Sequence, residues 1–376
     1  MFIRKSNINT NRVQILPRFK FKFLYSTKCS HKVYISKITD PAYNTFIEKW
    51  LINDISPNKK ILYIWRNAES VFIGRNQNPY KECSLSNMEK DQVILFRRES
   101  GGGAVYHDLG NMNFSFIGEI EKSDRIENFN IIINSLRKYG INAEIKGRND
   151  LVIDDKKISG SAYKNHKQLS IHHGTLLLNI NTKNMAKYIN PNKKKLKSKA
   201  VSSVEARVTN LINICPNICH DDLTNTIADI FLSQSQNSDK IIIDNEYVDF
   251  LNHFYGDFFD NCYDKFMNYT WIYGANTELF EFCIDTYFSW AMIEVNIQSE
   301  KGMIKNIVID SDSLYPDMID LMTKCLVNKR FDSHGINEAY NMFCKKWSIQ
   351  STLGTYEKDK CIEYMDEFCM WFKFQI

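Results

Sequence analysis

The sequence predicts an α+β fold, in which a domain built on a mixed β-sheet is followed by a smaller α+β accessory unit. Two observations carry this expectation. Up to about residue 180, strand-like runs of alternating or continuous apolar residues are interrupted by two long helical stretches. Further on, the polar segment SQSQNSDK at 233–240 has the composition of a linker, and a new set of strands and helices begins beyond it. A chain of 376 residues with 44% hydrophobic content can fill two cores. The expected division is a head at 1–30, a first domain at 31–245 and an accessory domain at 246–376.

KVYISKI (32–38) alternates like a strand, and DPAYNTFIEKWLIND (40–54) reads as a helix with Asp40 as N-cap and Pro41 at its first position. KILYIWRN (60–67) and ESVFIGRNQNP (69–79) are two strands joined by a polar turn at Asn67 to Glu69. QVILFRRE (92–99) is a strand that runs into three glycines, and NMNFSFIGEI (111–120) is the next. Residues 125–139 form a helix ended by Gly140. INAEIKGRNDLVIDDKKISGSAY (141–163) reads as strands folded about Asp154 and Asp155, followed by the strongly apolar strand QLSIHHGTLLLNI (168–180). NPNKKKLKSK (190–199) is a mobile basic segment by composition. In the second unit WIYGANTELFEF (271–282) and AMIEVNIQSEKGMIKNIVID (291–310) read as strands, with helices after them.

Charge is distributed unevenly along the chain. Residues 1–39 hold nine Lys or Arg and no acid, so the remainder carries 39 bases against 44 acids. An acidic body argues against general nucleic-acid binding, which needs a clustered basic surface. The head, basic, acid-free and containing hydroxyl residues, has the composition of a mitochondrial transit peptide, with a plastid as the lesser alternative. It lacks the run of roughly 7 to 15 apolar residues that a secretory signal requires. Nothing in the chain approaches the ~20 apolar residues of a bilayer span, and no membrane partner is expected. Ten scattered cysteines read as reduced thiols, and CPNICH (215–220) has no second ligand pair at zinc-site spacing.

Two constellations carry chemistry. In RRESGGGAVYHDLGN (97–111), glycines directly after a strand provide backbone that takes positive φ or lets a ligand approach without a Cβ in the way. Neither nucleotide-loop pattern, G-x-x-x-x-G-K-[ST] or G-x-G-x-x-G, is completed. Arg97 and Arg98 should lie on opposite faces of their strand, one in a pocket and the other solvated. A pocket arginine beside backbone N–H groups makes an anion site suited to a nucleotide α-phosphate. In GRNDLVIDDKKISGSAYKN (147–165), Lys157 is expected to share a face with Ser159 and Ser161 and to approach a ligand closely before Gly160. The S-x-x-K match at Ser161–Lys164 lacks the companion signatures of serine hydrolysis. His172 and His173 are adjacent, so one looks inward, as a core histidine or as a ligand contact. His107 either touches substrate or fixes its loop.

Taken in this order and spacing, RRESGGGAVYHDLGN, GRNDLVIDDKKISGSAY and HHGTLLLN resemble the lipoate–protein ligase A family, in the superfamily of biotin–protein ligases and octanoyltransferases. WRNAESVFIGRNQNPYKEC, NPNKKKLKSKAVSSVEARVTNL and WIYGANTELF also look like family segments, so the resemblance spans about residues 33–310. It implies a biotin/lipoate-ligase type sheet domain and a two-step reaction. Lipoate and ATP give lipoyl-AMP and pyrophosphate, and then a lysine amine on a lipoyl domain attacks to form an amide. By the same resemblance, Lys157 is the essential lysine, bridging lipoyl carbonyl and α-phosphate oxygens. Arg98, Ser100, Gly102, Gly103, Ala104, Val105, Tyr106, Asn111, Asn149, Asp150, Gly160 and Ser161 join it in the ATP and lipoyl-AMP pocket. Gly74, Arg75, Arg98, Lys157, His172 and His173 surround lipoate. Asp150 holds Mg²⁺ or orients Lys157, and Lys195 to Lys199 form either a flap over the adenylate or a solvated loop. Implied acceptors are the glycine cleavage H-protein and the E2 subunits of 2-oxoacid dehydrogenases. Glu99 departs from the small residue usual at its position.

Two other functions compete. A lipoyl or octanoyl transferase would use the same pocket with a preactivated or protein-bound donor and no ATP; such members often lack a second domain, which is present here. An adenylate-sensing or nucleic-acid-binding module would want a basic reading surface, and the body is acidic.

Overall fold

The computed structural model describes residues 30–56, 58–120, 124–190, 207–274 and 280–376. The basic head and the lysine segment from 191 on, with the expected transit peptide and flap, lie outside the described residues.

The first unit is built on an eight-stranded mixed sheet, in the order β11-β1-β2-β6-β10-β9-β8-β7. Its strands are β1 (Ser30–Ser36), β2 (Lys59–Trp65), β6 (Asn111–Glu119), β7 (Glu144–Lys146), β8 (Asp150–Ile153), β9 (Lys156–His166), β10 (Leu169–Leu177) and β11 (Ser238–Ile243). β11, β1 and β2 run parallel, and from β2 through β6 to β7 the pairing is antiparallel. Residues Asp154 and Asp155, at positive φ, make the tight turn expected between β8 and β9. A smaller sheet, β4-β3-β5, lies apart, from β3 (Ser70–Ile73), β4 (Ile94–Arg97) and β5 (Val105–His107).

Both faces of the large sheet are covered. Helix α1 (Pro41–Asp54) starts where expected, with the Asp40 carboxylate accepting from the Tyr43 N–H at 3.0 Å. It buries Phe46, Ile47, Trp50 and Leu51 against Tyr34, Ile61, Tyr63, Ile117 and Ile171, each large side chain contributing about 2 to 3 kcal/mol. The opposite face is covered by α4 (Arg125–Arg137) and α6 (His220–Leu232), whose Phe129, Ile132, Leu223 and Phe231 meet Leu62, Ile64, Phe114 and Phe116. Short helices α2 (Pro79–Glu82), α3 (Leu85–Asp91) and α5 (Thr182–Tyr188) flank the small sheet.

The segment 233–240 is not a linker. It carries the end of α6 into β11, whose Ser238–Ile243 pair with His31–Ser36 of β1. Helix α7 (Asn245–Phe266) then packs Leu251, Phe259, Cys262 and Phe266 into the core beneath α1, and α8 (Tyr269–Tyr273) adds Ile272 to the core of the small sheet. The polar composition misled because the strand lies at a sheet edge, where exposed Ser238, Asp239 and Lys240 are tolerated.

The second unit has an antiparallel sheet of β12 (Phe282–Tyr287), β13 (Met292–Glu300) and β14 (Met303–Ser311), backed by α9 (Pro316–Leu326), α10 (Ser333–Gln350) and α11 (Thr355–Lys373). Its core, with Ile293, Val295, Met318, Met322, Phe343 and Phe368, is separate from the first. The units meet through Arg75 with Asp317 and Asp320, at 2.8 and 2.5 Å, Lys81 with Glu294, and Arg125 with Glu357 at 2.5 Å.

Candidate active site

The site lies where the loop between β4 and β5 crosses above β9 and β10. Its three glycines are constrained for different reasons. A Cβ at Gly101 would overlap the carbonyl oxygen of Ser313, from the second unit, and Gly102 sits at φ +90° with the Arg98 guanidinium 3.0 Å from where its Cβ would be. The Gly102 N–H donates to the Ser313 carbonyl at 3.0 Å. What comes so close to this backbone is thus, in part, the chain's own second unit. At Gly103, by contrast, a Cβ would meet nothing, so this exposed glycine is open to an incoming group.

The two arginines behave differently from expectation, because neither is solvated. Arg97 is buried, and its guanidinium donates to the carbonyls of Gly74, Arg75, Gln77, Trp271 and Ile272 at 2.6 to 3.2 Å. Such a fully used guanidinium is a structural tie. Arg98 donates to Phe72, Gly101 and Gly103 carbonyls at 2.7 to 3.2 Å and so shapes the glycine loop from inside. Burial draws both down to about 10, which leaves them charged at neutral pH.

Lys157 lies near the start of β9, outside the lining of the cavity described below. Opposite it the β8–β9 register shifts, with Leu151 facing Ser159 but Val152 facing Lys157, so one residue of β9 is bulged. The bulge turns Lys157 away from the face of Ser159 and Ser161 that simple alternation assigned it, and onto that of Gly160. There its ammonium pairs with the Asp150 carboxylate at 2.7 Å and lies where a Gly160 side chain would be, 2.8 Å from that missing Cβ. A bridge to Val208, with the Thr209 N–H donating to the Lys157 carbonyl at 3.0 Å, fixes its backbone. The ammonium is thus held, partly exposed, by one carboxylate.

Of the histidines, His172 is fully buried on the α4 side of the sheet among Phe114, Phe116, Phe129 and Tyr163, and neither ring nitrogen has a partner. Burial holds it far below its ordinary pKa, so it is a neutral core residue. His173 faces the other way, into the site. Its Nδ1 lies 3.1 Å from Glu48 and its Nε2 2.7 Å from the Ser100 hydroxyl. Glu48 is acceptor-only, so a neutral His173 carries its proton on Nδ1 and accepts a hydrogen bond from the Ser100 hydroxyl at Nε2. His107 stacks on Phe72 at 4.7 Å, with Nδ1 on Asn67 at 3.1 Å; burial, then the charges of Arg98 and His173, lower it to about 3. Its Nε2 is buried without a partner, as is Oδ1 of Asn111.

The remaining expected residues divide. Gly74 is required because its Cβ would overlap the Gly102 carbonyl. Asn149 bonds the main chain of Ser161 and anchors the strand pair, while the Ser161 hydroxyl is buried on the α4 side, away from Lys157. S-x-x-K therefore has its two ends on opposite faces. Tyr106 points away, its hydroxyl on Glu69 at 2.5 Å, so it can offer only backbone to the site. Arg75 is not in the pocket at all; it holds the second unit through Asp317 and Asp320.

Sequence reasoning missed the acid–base cluster at the mouth of the pocket. Glu99 is bound by Lys49 at 2.6 Å and by Lys164 and Lys265. Burial would raise this carboxyl, but Lys164 and Lys49 outweigh it and hold the group well below the usual carboxylate range. A cavity of about 30 Å³ opens here, lined by Thr45, Glu48, Lys49 and Ile52 of α1, Arg98 to Ser100, Lys164, Ile171, His173 and Phe266. The spacing Thr45, Glu48, Ile52 was a legible helical stripe with a carboxylate in an apolar setting. Cys219, from the CPNICH motif, caps α6 through the Asp222 N–H at 3.4 Å.

This chain matches the lipoyl protein ligase A/B catalytic domain over residues 40–232 and the bacterial lipoate protein ligase C-terminus over 277–365. A mixed-sheet unit with such a site, followed by such an accessory unit, is a protein-modifying ligase. Among relatives, lipoate-protein ligase A of Psychrobacter cryohalolentis is 39% identical over 311 residues, covering 82% of this chain and 91% of that protein. The structure of P. falciparum LipL1 in complex with lipoate is similar with a TM-score of 0.75 at 30% identity, covering 91% of this chain and 99% of that one. The bipartite lipoate protein ligase of Thermoplasma acidophilum, described in a structural analysis of that ligase and its E2 lipoyl domain, has a TM-score of 0.55 at 25% identity over 67% of this chain and 99% of its own. The chain belongs to the lipoate-protein ligase family.

Proposed function

We propose that the protein joins lipoate to ATP and passes the lipoyl group to a lysine of a lipoyl-domain protein. In the first step a lipoate carboxylate oxygen attacks the α-phosphorus and pyrophosphate leaves, giving lipoyl-AMP. In the second the acceptor's neutral ε-amine attacks the acyl carbonyl, AMP leaves, and the amine loses its proton. The observation that carries the reading is the Lys157 ammonium, held by Asp150 over the space left by Gly160. Two anions must meet in the first step, and a fixed cation is the main way to stabilise them, worth roughly 3 to 4 kcal/mol for one such donor. His173 and Ser100, oriented by Glu48, supply polar contacts on the lipoate side of this pocket, beside the apolar Ile52 and Ile171.

Mg²⁺ would arrive with the nucleotide, and the carboxylate beside Lys157 that could share it with the phosphates is Asp150, through the oxygen it does not give to the Lys157 ammonium. Among the described residues no group of three His, Cys, Asp or Glu side chains could hold a metal. A single carboxylate together with substrate phosphates is a common magnesium arrangement. The acceptors proposed are the glycine cleavage H-protein and 2-oxoacid dehydrogenase E2 subunits, and the basic head supports action in the mitochondrion.

The test is mass spectrometry of an apo H-protein incubated with the full chain, lipoate, Mg²⁺ and ATP. Addition of a lipoyl mass, lost in Lys157→Ala, is the expected result. Modification from synthetic lipoyl-AMP but never from ATP would reduce the protein to a transferase and overturn the first step.

A further inference from the structure

Residues 233–276 lie between the two family matches, and this stretch reaches the pocket. Helix α7 ends there with Phe266, 2% exposed, which lines the cavity with Ile52 and Ile171. The end of the helix is tied to both neighbours of Arg98. Lys265 pairs with Glu99, while the Arg97 guanidinium donates to the Trp271 and Ile272 carbonyls and the Trp271 indole N–H donates to the Arg97 carbonyl at 2.9 Å.

We infer that Phe266 is a specificity-determining residue, the wall that sets the length and bulk of acyl chain admitted to the pocket. This rests on reading the cavity as the acyl site. At about 30 Å³, against the roughly 10–15 Å³ that one water needs, the cavity has room for about two waters and not for an acyl chain. An acyl chain therefore enters only as lining groups move aside. Lys49, Lys164 and Glu99 are long side chains on several rotatable bonds and can swing toward solvent. Phe266 has nowhere to go: its ring is braced by Phe46 and Trp271, each at 6.1 Å between centroids, with α1 behind. Ile52 and Ile171 are buried as well, but they are aliphatic and smaller, so the ring of Phe266 is the bulkiest fixed part of the wall and sets the limit.

The full chain and its Phe266→Leu, Phe266→Ala and Phe266→Trp variants are compared by pyrophosphate release with ATP and, in turn, lipoate, hexanoate, octanoate, decanoate and dodecanoate. The quantity read is the ratio of kcat/KM for dodecanoate to that for octanoate. It should rise about tenfold or more in Phe266→Ala, in line with the roughly 10- to 200-fold discrimination per methylene of an apolar pocket, rise less in Phe266→Leu and fall in Phe266→Trp. The Leu and Trp variants carry the test should the Ala variant fail to fold. An unmodified protein active on lipoate, with ratios unchanged in the folded variants, overturns the inference alone. Absence of pyrophosphate release by the unmodified protein with every acid overturns the activation reading and this inference together.

Discussion

At the scale of residues, the site depends on side chains whose partners fix both position and charge. Lys157 can lie across β9 only because residue 160 lacks a Cβ, and only because the strand is bulged beside it. Replacing Lys157 by Ala should lower adenylate formation by about 10²- to 10³-fold, the cost of losing one fixed donor, while the thermal unfolding midpoint barely moves because the side chain is partly exposed. His107 makes a separate statement about pH. Its folded value of about 3 lies below the ordinary 6.5, so the unfolded chain binds more protons between the two. The stability it contributes is complete above about pH 6.5 and is lost as pH falls toward 3. Urea unfolding should show a smaller loss between pH 7 and pH 4.5 in His107→Gln than in the unmodified protein; an identical loss would count against a buried neutral His107. Identity was legible here where direction was not. Alternation singled out Lys157 and recognised that only one of the two adjacent histidines can look inward, but a bulge, or the choice between two covered faces, is decided by contacts far away in sequence.

At the scale of elements, α7 and α8 show what a helix gains from tertiary partners that local pattern does not announce. The sequence of α7 is rich in aspartate and aromatic residues, and Phe250 and Phe254 remain exposed on it, so its stripe is poorly defined. It is held instead by Leu251, Phe259, Cys262 and Phe266 under α1, and by Lys265 at Glu99. Glu99 gathers cations from α1, β9 and α7, and removing it would leave Lys49 and Lys164, each about four-fifths buried, facing one another. Glu99→Ala should therefore cost about 3 kcal/mol or more by urea unfolding at neutral pH. The sign with pH is that of a depressed carboxylate: this stability is present above the ordinary glutamate value of 4.5 and is lost as pH falls through the lower folded value. An equal loss at pH 7 and at pH 3 would rule out the ionic origin. The departure at Glu99 was visible in the sequence, but its three partners, from residues 49, 164 and 265, were not, since no spacing rule joins them.

At the scale of the whole molecule, the two units meet through three sets of ion pairs, hydrogen bonds such as those from Gly102 to Ser313 and from Ser311 to Asn76, and Leu314, which the second unit buries in the first core. The α+β class, the mixed sheet and the presence of two units were readable from periodicity. Where the first unit ends was not, because β11 and α7 join the sheet and its cover through pairings of β1 with residues some two hundred positions away. The match to the catalytic-domain family ends at Leu232, whereas the first core draws on residues as far as Phe266 and Ile272. A chain ending at Leu232 would bare the edge of β1 as an open template for another chain and uncover the apolar side of α1, and by light scattering it should self-associate. One ending at Gly274 should stay monomeric as far as this edge decides. The boundary of the catalytic-domain match and the boundary of the packed unit thus fall at different places: the unit could not be exchanged as a cassette cut at residue 232, and any splicing that preserved it would have to carry the intervening stretch as well.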